Sequence, residues 1–438
     1  MSDAGPSPVP DRPAAAAGGA SSSSTLQVGV GLLVLGLSGF VFLGLSGRDL
    51  GPAAAAPVSV AWTILNAVGI GLFMPLEQEV GRRISAARAR GAAFPPLARV
   101  RHYAAAALGA LALVAAVFNG PIADTFLGGS RILLVVLVLA LAAQALEYYA
   151  RGMLAGTGRF RRYGAQLAVD GAARMVLSAA IFLLPTSSAA LYAAVLVLSP
   201  ALATLATIPL RDLLRRDGPA VPGERYPLAP LVTTSITAQL VANAGPLAIA
   251  VLATPAEQAI TGQFVAAITI GRVPLFLFAA VQAVFLPALA AQVTTGRHAA
   301  FRAAMRRGFA ATALLGGAGV VGIAVLGRWV MHVIYGPAFD VSVLDITLIA
   351  VSGALFMVAQ LLAQGLLAHK TDTVVALGWG LGIVVTVLSL ALPLPITTTV
   401  AVALCTGSGA AAAFFALALQ RTTRAWESRL TLDTPEDR

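Results

Sequence analysis

Four ionisable residues lie inside apolar stretches of this 438-residue chain: Glu147, Asp170, Arg174 and Arg272. In hydrocarbon each costs roughly 2.5–3.5 kcal/mol at a helix centre, so each needs a partner or a purpose. Asp170 and Arg174 are four residues apart, share one helical face and can neutralise each other. Alternatively, Arg174 faces a water-filled cavity and meets an anionic group there. Arg272 has no acid within four positions on its own helix. It must reach a partner across the bundle, a cavity or a ligand. It stands beside Gly271 and Pro274, where a helix should kink because proline removes a backbone hydrogen bond. Glu147 has Arg151 one turn on, and Glu79 has Arg83; both pairs read as structural bridges or as parts of a cytoplasmic gate. Gln239 and Asn243 share a face just before Gly245-Pro246, as a wetted, bendable helix would require. Gln282 also punctuates an apolar stretch, although any such amide can simply bond a neighbouring helix.

No constellation for covalent catalysis accompanies these groups. No His or Cys pair has metal-ligand spacing, and His102, His298, His332 and His369 all fall near the ends of apolar stretches. The one cysteine, Cys405, sits within the last stretch, so no intrachain disulfide can form. The sequence therefore predicts neither an enzyme nor a bound cofactor or metal. The net charge of +10 does not point to nucleic acid, because no aromatic residues interleave a basic groove.

The elements that position these residues are twelve apolar stretches, and loops rich in arginine alternate with loops nearly free of charge. Hydrophobic residues make up 58% of the chain and charged residues 11%, against about 25% charged in soluble domains. A spanning helix takes about 20 residues, and backbone in lipid must be helical to satisfy its own hydrogen bonds. The expected fold is all-α, with spans near 26–45, 57–76, 103–123, 131–154, 165–185, 189–210, 229–253, 258–291, 309–334, 342–367, 373–392 and 397–420. Arginine clusters follow every even-numbered span up to the eighth, Lys370 follows the tenth and arginines follow the twelfth. Positive charge marks the cytoplasmic side, which puts both termini inside and the arginines against anionic lipid headgroups. The alanine- and arginine-rich composition, with one lysine, suggests a bacterial plasma membrane. A Pro/Ala/Ser/Gly-rich segment, 1–25, reads as a disordered tail, and 421–438 as a second cytoplasmic tail. The irregular stretch 211–228 separates two six-helix bundles, 26–210 and 229–420, around a central cavity.

The halves echo each other. Phe73-Met74-Pro75-Leu76 matches Phe285-Leu286-Pro287-Ala288, and Arg151-Gly152-Met153-Leu154-Ala155 matches Gln364-Gly365-Leu366-Leu367-Ala368, at offsets of 212 and 213. Such an echo favours a duplicated bundle with an axis along the membrane normal. The segment Arg151-Gly152-Met153-Leu154-Ala155-Gly156-Thr157-Gly158-Arg159-Phe160 resembles the fourth-span exit of the multidrug/oligosaccharidyl-lipid/polysaccharide flippase superfamily, in its bacterial polysaccharide-exporter branch. Met74-Pro75-Leu76-Glu77-Gln78-Glu79 and Ile270-Gly271-Arg272-Val273-Pro274-Leu275-Phe276 are similar to further segments of that branch. The resemblance implies a V-shaped cavity, alternating access, and a polyprenyl-diphosphate-linked oligosaccharide as substrate. H+ or Na+ would be the coupling ion, and a glycan polymerase and glycosyltransferases would be partners. Two alternatives stay open: a multidrug antiporter of the same superfamily, and a major facilitator transporter. The latter's loop is approximated by Gly81-Arg82-Arg83, but its hallmark aspartate is Gln78 here.

Overall fold

A computed structural model describes residues 22–91, 94–213, 215, 218 and 228–433. Among these there is no strand, and ten helices are long and apolar enough to cross a membrane. One of them runs 64 residues, from Leu26 to Ala89. It makes two crossings, because the backbone leaves helical geometry at Gly51 (φ 73°, ψ 168°). Only glycine adopts that conformation freely. The Phe42 and Trp62 rings lie 5.6 Å apart, whereas 20 residues of straight helix would separate them by about 30 Å. The chain therefore doubles back at Gly51.

The third to seventh spans are Ala98–Val117, Arg131–Gly156, Phe160–Phe182, Ala189–Thr207 and Leu228–Leu252. The eighth comes in two pieces, Gln258–Gly271 and Val273–Thr294, with Arg272 between them. The ninth to twelfth are His298–Tyr335, Val343–Ala368, Asp372–Ser389 and Ile396–Asp433. With the doubled first helix and the broken eighth, the described residues supply twelve crossings. This is an all-α, multi-pass membrane protein.

Several boundaries differ from those read in the sequence, each for a local reason. The second span does not stop at 76; it passes through a π-turn at Leu65–Ile70 and continues to Ala89. Its polar end stays helical because Arg82 and Arg83 both bridge back to Glu79, at 2.8 and 2.6 Å. The third span ends at Val117, and Asn119–Phe126 forms a separate eight-residue helix. The twelfth span extends beyond 420 to Asp433, so much of the expected tail is helical. There Trp426 stacks on His298, with ring centroids 3.5 Å apart, and meets Phe301 and His369 edge-on. The first helix begins at Ser22; residues 1–21 and most of the expected linker 211–228 lie outside the described residues.

The distribution of buried side chains defines the shape. One core draws on both halves: Phe42, Leu43 and Tyr192 from the first, Phe264, Ile268, Met331, Tyr335 and Phe339 from the second. Toward the arginine-rich end the cores separate. Leu76, Val80, Ile84, Val100 and Met153 pack within the first half, and Leu289, Phe301, Trp379, Phe415 and Leu419 within the second. The bundles thus share packing near the arginine-poor end and have independent interiors at the other. The second and seventh spans still meet across the halves, where Ser235 Oγ donates to the Ile70 carbonyl at 3.4 Å and Gly71 packs on Ile236.

The orientation in the membrane has a direct check. On a Cys405→Ser background, single cysteines at exposed Arg162 and Thr295 are expected to resist an impermeant maleimide added to intact cells. A cysteine at exposed Ala256 should react. Labelling at 162 or 295 from outside would overturn the inside assignment of the arginine-rich face.

Candidate functional site

The polar residues singled out in the sequence fall into two clusters, one in each bundle. In the first, Asp170 accepts two hydrogen bonds from Arg174 Nη2, at 2.8 and 2.9 Å. Arg174 Nη1 donates to Ser38 Oγ at 3.0 Å, and its guanidinium lies over the Trp62 ring at 5.0 Å. Arg151 Nη2 donates to Glu147 Oε1 at 2.5 Å and stands 3.8 Å from Asp170 Oδ2. All four charged side chains are buried. Their i,i+4 spacing on the fourth and fifth spans creates the two bridges, and Arg151–Asp170 joins the spans.

Arg174 is held within the first bundle in this conformation. Its fork and face are taken by Asp170, Ser38 and Trp62, all from the first half. The geometry matches the alternative reading of Asp170 and Arg174 as a mutually neutralising pair. Glu79 is also paired, to Arg82 and Arg83, at the arginine-rich end of the second span.

Glu77, in the polar run after Pro75 that reads as a solvated helix end, accepts a hydrogen bond from Tyr163 Oη at 2.8 Å. Only the helix's continuation to Ala89 draws it inward, beside the network containing Arg151. The missed signal was the run of helix-forming residues after Pro75.

Glycines bring the second and fourth spans close enough for these contacts. A Cβ on Gly152 would lie 2.7 Å from Glu77 O and 2.8 Å from the Val80 Cβ. One on Gly156 would lie 2.7 Å from the Ile84 Cβ and 2.8 Å from Gly81 O. Small residues four apart permit such backbone approach between membrane helices. Gly152→Val is therefore expected to overpack the contact at a cost of about 1–3 kcal/mol. Thermal unfolding in detergent would show a lowered midpoint, and an unchanged one would refute this role for the glycine.

The second cluster surrounds the break in the eighth span. Ile268 and Ile270 belong to the shared core, and Arg272 follows them at the break in the span. Its guanidinium donates to the Ala242 carbonyl and, at 3.4 Å, to Asn243 Oδ1 on the seventh span. Asn243 in turn donates to Gln239 O at 2.9 Å and to Gln239 Oε1 at 3.3 Å. Arg272, Asn243 and Gln239 are thus brought together. The side chain of Gln282 lies outside the described residues. No carboxylate pairs with Arg272 among the described residues; its two acceptors are neutral. Pro274 sits at the start of the second helical piece, and Gly271 packs on Ile349 and Ala350 of the tenth span.

Among the described residues no group of three His, Cys, Asp or Glu side chains is arranged to hold a metal.

No family model matches the chain. It is 27% identical over 400 residues to uncharacterized proteins of Mycobacterium tuberculosis and Mycobacterium bovis, over 86% of this chain and 88% of theirs. Among solved structures it is similar to the inward-facing form of a multidrug resistance MATE family transporter of the MOP superfamily. That overlap has a TM-score of 0.68 at 13% identity, over 92% of this chain and 99% of that one. An outward-facing form of such a transporter gives 0.61 at 13% identity, over 92% and 96%. The bent form of the Vibrio cholerae MATE transporter VcmN gives 0.60 at 13% identity, over 92% and 98%. The chain thus has the fold of MATE transporters, which belong to the multidrug/oligosaccharidyl-lipid/polysaccharide flippase superfamily.

Proposed function

We propose that the protein carries a lipid-linked, polyprenyl-diphosphate saccharide from the inner to the outer leaflet of a bacterial plasma membrane by alternating access. It makes and breaks no covalent bond. The observation that carries this reading is Arg272, a guanidinium at the break in the eighth span that meets two neutral acceptors and no carboxylate among the described residues. A guanidinium fork matches phosphate oxygens in bidentate geometry. An uncompensated positive charge there selects an anionic headgroup over a cationic drug. The greasy carrier stays in lipid while Arg272, Asn243 and Gln239 shield the diphosphate and first sugar. The break at Arg272 and the turn at Gly51 give the rocking bundles two places to bend.

The first-bundle network supplies a site for coupling. Three carboxylates, Glu77, Glu147 and Asp170, face two guanidiniums, Arg151 and Arg174. The odd negative charge is held by a proton or a sodium ion, which links ion movement to the tilt of that bundle. This surplus also favours the second reading, an ion-coupled multidrug antiporter.

Liposomes carrying the purified protein and a fluorescent polyprenyl-diphosphate saccharide decide between them. Expected is headgroup exposure on the far leaflet well above that of empty liposomes, driven by an H+ or Na+ gradient. Exposure equal to empty liposomes under every gradient, together with export of a cationic drug, would replace the flippase by the antiporter.

A further inference from the structure

A second anion-seeking site lies away from Arg272. At the arginine-rich end of the first bundle, an open recess of about 530 Å³ is lined by Arg159, Arg161, Arg162, Pro209, Arg211 and Asp212. Its size falls within the roughly 300–1,000 Å³ of small-molecule sites. Asp212 bridges Arg159 at 2.9 Å and is the recess's only acid. Arg161, Arg162 and Arg211 are exposed, and no carboxylate pairs with them among the described residues. Four guanidiniums thus face one carboxylate.

This charge is also placed against local electrostatics. Arg159 is the N-cap of the fifth span, contributes no capping hydrogen bond, and Arg161 and Arg162 occupy the first turn, which holds no acid. A helix N-terminus carries about half a positive charge, so these arginines oppose the helix they begin. The corresponding connection in the second half, between the tenth and eleventh spans, has only Lys370 beside Asp372. An anion lodged in the recess relieves the repulsion, and the ends of three membrane spans hold it at headgroup depth.

We propose that the recess binds the diphosphate of a lipid in the adjoining leaflet, and is filled before the headgroup reaches Arg272. This assignment rests on the reading of the substrate as a diphosphate-bearing lipid. Planar guanidiniums from two elements can grip both phosphates at once, which a lipid with a single phosphodiester offers less well.

The test uses full-length protein and native mass spectrometry of its retained lipids, with undecaprenyl diphosphate and phosphatidylglycerol as probes and inorganic pyrophosphate as competitor. Undecaprenyl diphosphate is expected to be retained at least tenfold better than phosphatidylglycerol and to be displaced by pyrophosphate. The Arg161→Gln/Arg162→Gln variant should lose that retention at least tenfold, and Arg211→Gln, on the other wall, should lose part of it, with unfolding midpoints unchanged. Arg272→Ala should lower retention less than the Arg161→Gln/Arg162→Gln variant does, while failing to translocate the lipid. Equal retention of both lipids would reduce the recess to a generic anionic contact and overturn the proposal, as would undiminished retention in both recess variants. If wild-type protein binds through the recess yet flips no saccharide in liposomes, the transport reading fails and the recess stands.

Discussion

Arg272→Ala abolishes movement of a diphosphate-bearing headgroup while leaving the protein folded: this is the expected result with the largest functional effect. The mutation removes a charge held by two neutral acceptors, the Ala242 carbonyl and Asn243 Oδ1. It orphans no buried counter-charge. Stability should therefore change little, by about 1 kcal/mol, in line with a lost hydrogen bond. Transport should fall to the level of empty liposomes. Arg272→Lys keeps the charge and loses the fork, so it should remain impaired by at least about tenfold, the equivalent of 1.4 kcal/mol of phosphate binding. Normal translocation by Arg272→Ala at normal expression would remove the argument for an anionic substrate.

The opposite pattern is expected in the first bundle, where the effect is on the fold. Asp170→Ala strands Arg174 and takes away one of the two acids near Arg151. Breaking one partner of a buried pair typically costs about 3–5 kcal/mol, because the remaining charge stays in a medium that cannot solvate it. Arg174→Ala strands Asp170 and should cost a similar amount. Replacing both together, Asp170→Leu with Arg174→Met, should cost less than either alone, since no charge is left unpaired. Thermal unfolding in detergent measures all three. Additive losses in the double variant would mean that the two side chains do not act as a pair.

Much of this architecture could be read from composition and charge order. The twelve crossings follow from apolar length, and the alternation of arginine-rich and arginine-poor loops predicts their polarity. What the sequence concealed depends on tertiary packing. Gly51 looks like one loop residue among several, yet it is where helical geometry is interrupted within 64 residues. The polar run from Glu77 to Arg83 reads as a helix end because charge normally leaves the bilayer. The bridges to Glu79 and the close packing on Gly152 keep it helical. Arg174 and Arg272 are both guanidiniums within apolar stretches, and only Arg174 has an acid one turn away. Arg174 finds an acid one turn away and an aromatic face across the bundle, whereas Arg272 reaches only backbone and amide oxygens. The Asp170 spacing made the first pairing legible; nothing local revealed the second.

The shared core at the arginine-poor end has an energetic consequence. To open toward that side the bundles must part, and Phe42, Phe264, Tyr335 and Phe339 lose contacts now buried between them. The separate cores at the other end need not be disrupted in either conformation. Any state that parts this seam therefore starts at a free-energy cost set by the contacts it gives up. A ligand can drive that opening only by the margin with which it prefers the opened form. Size and hydrophobicity of those four aromatic residues thus act as a thermostat on the cycle. A looser seam would let the protein turn over without cargo, and a tighter one would hold it shut against even its own substrate.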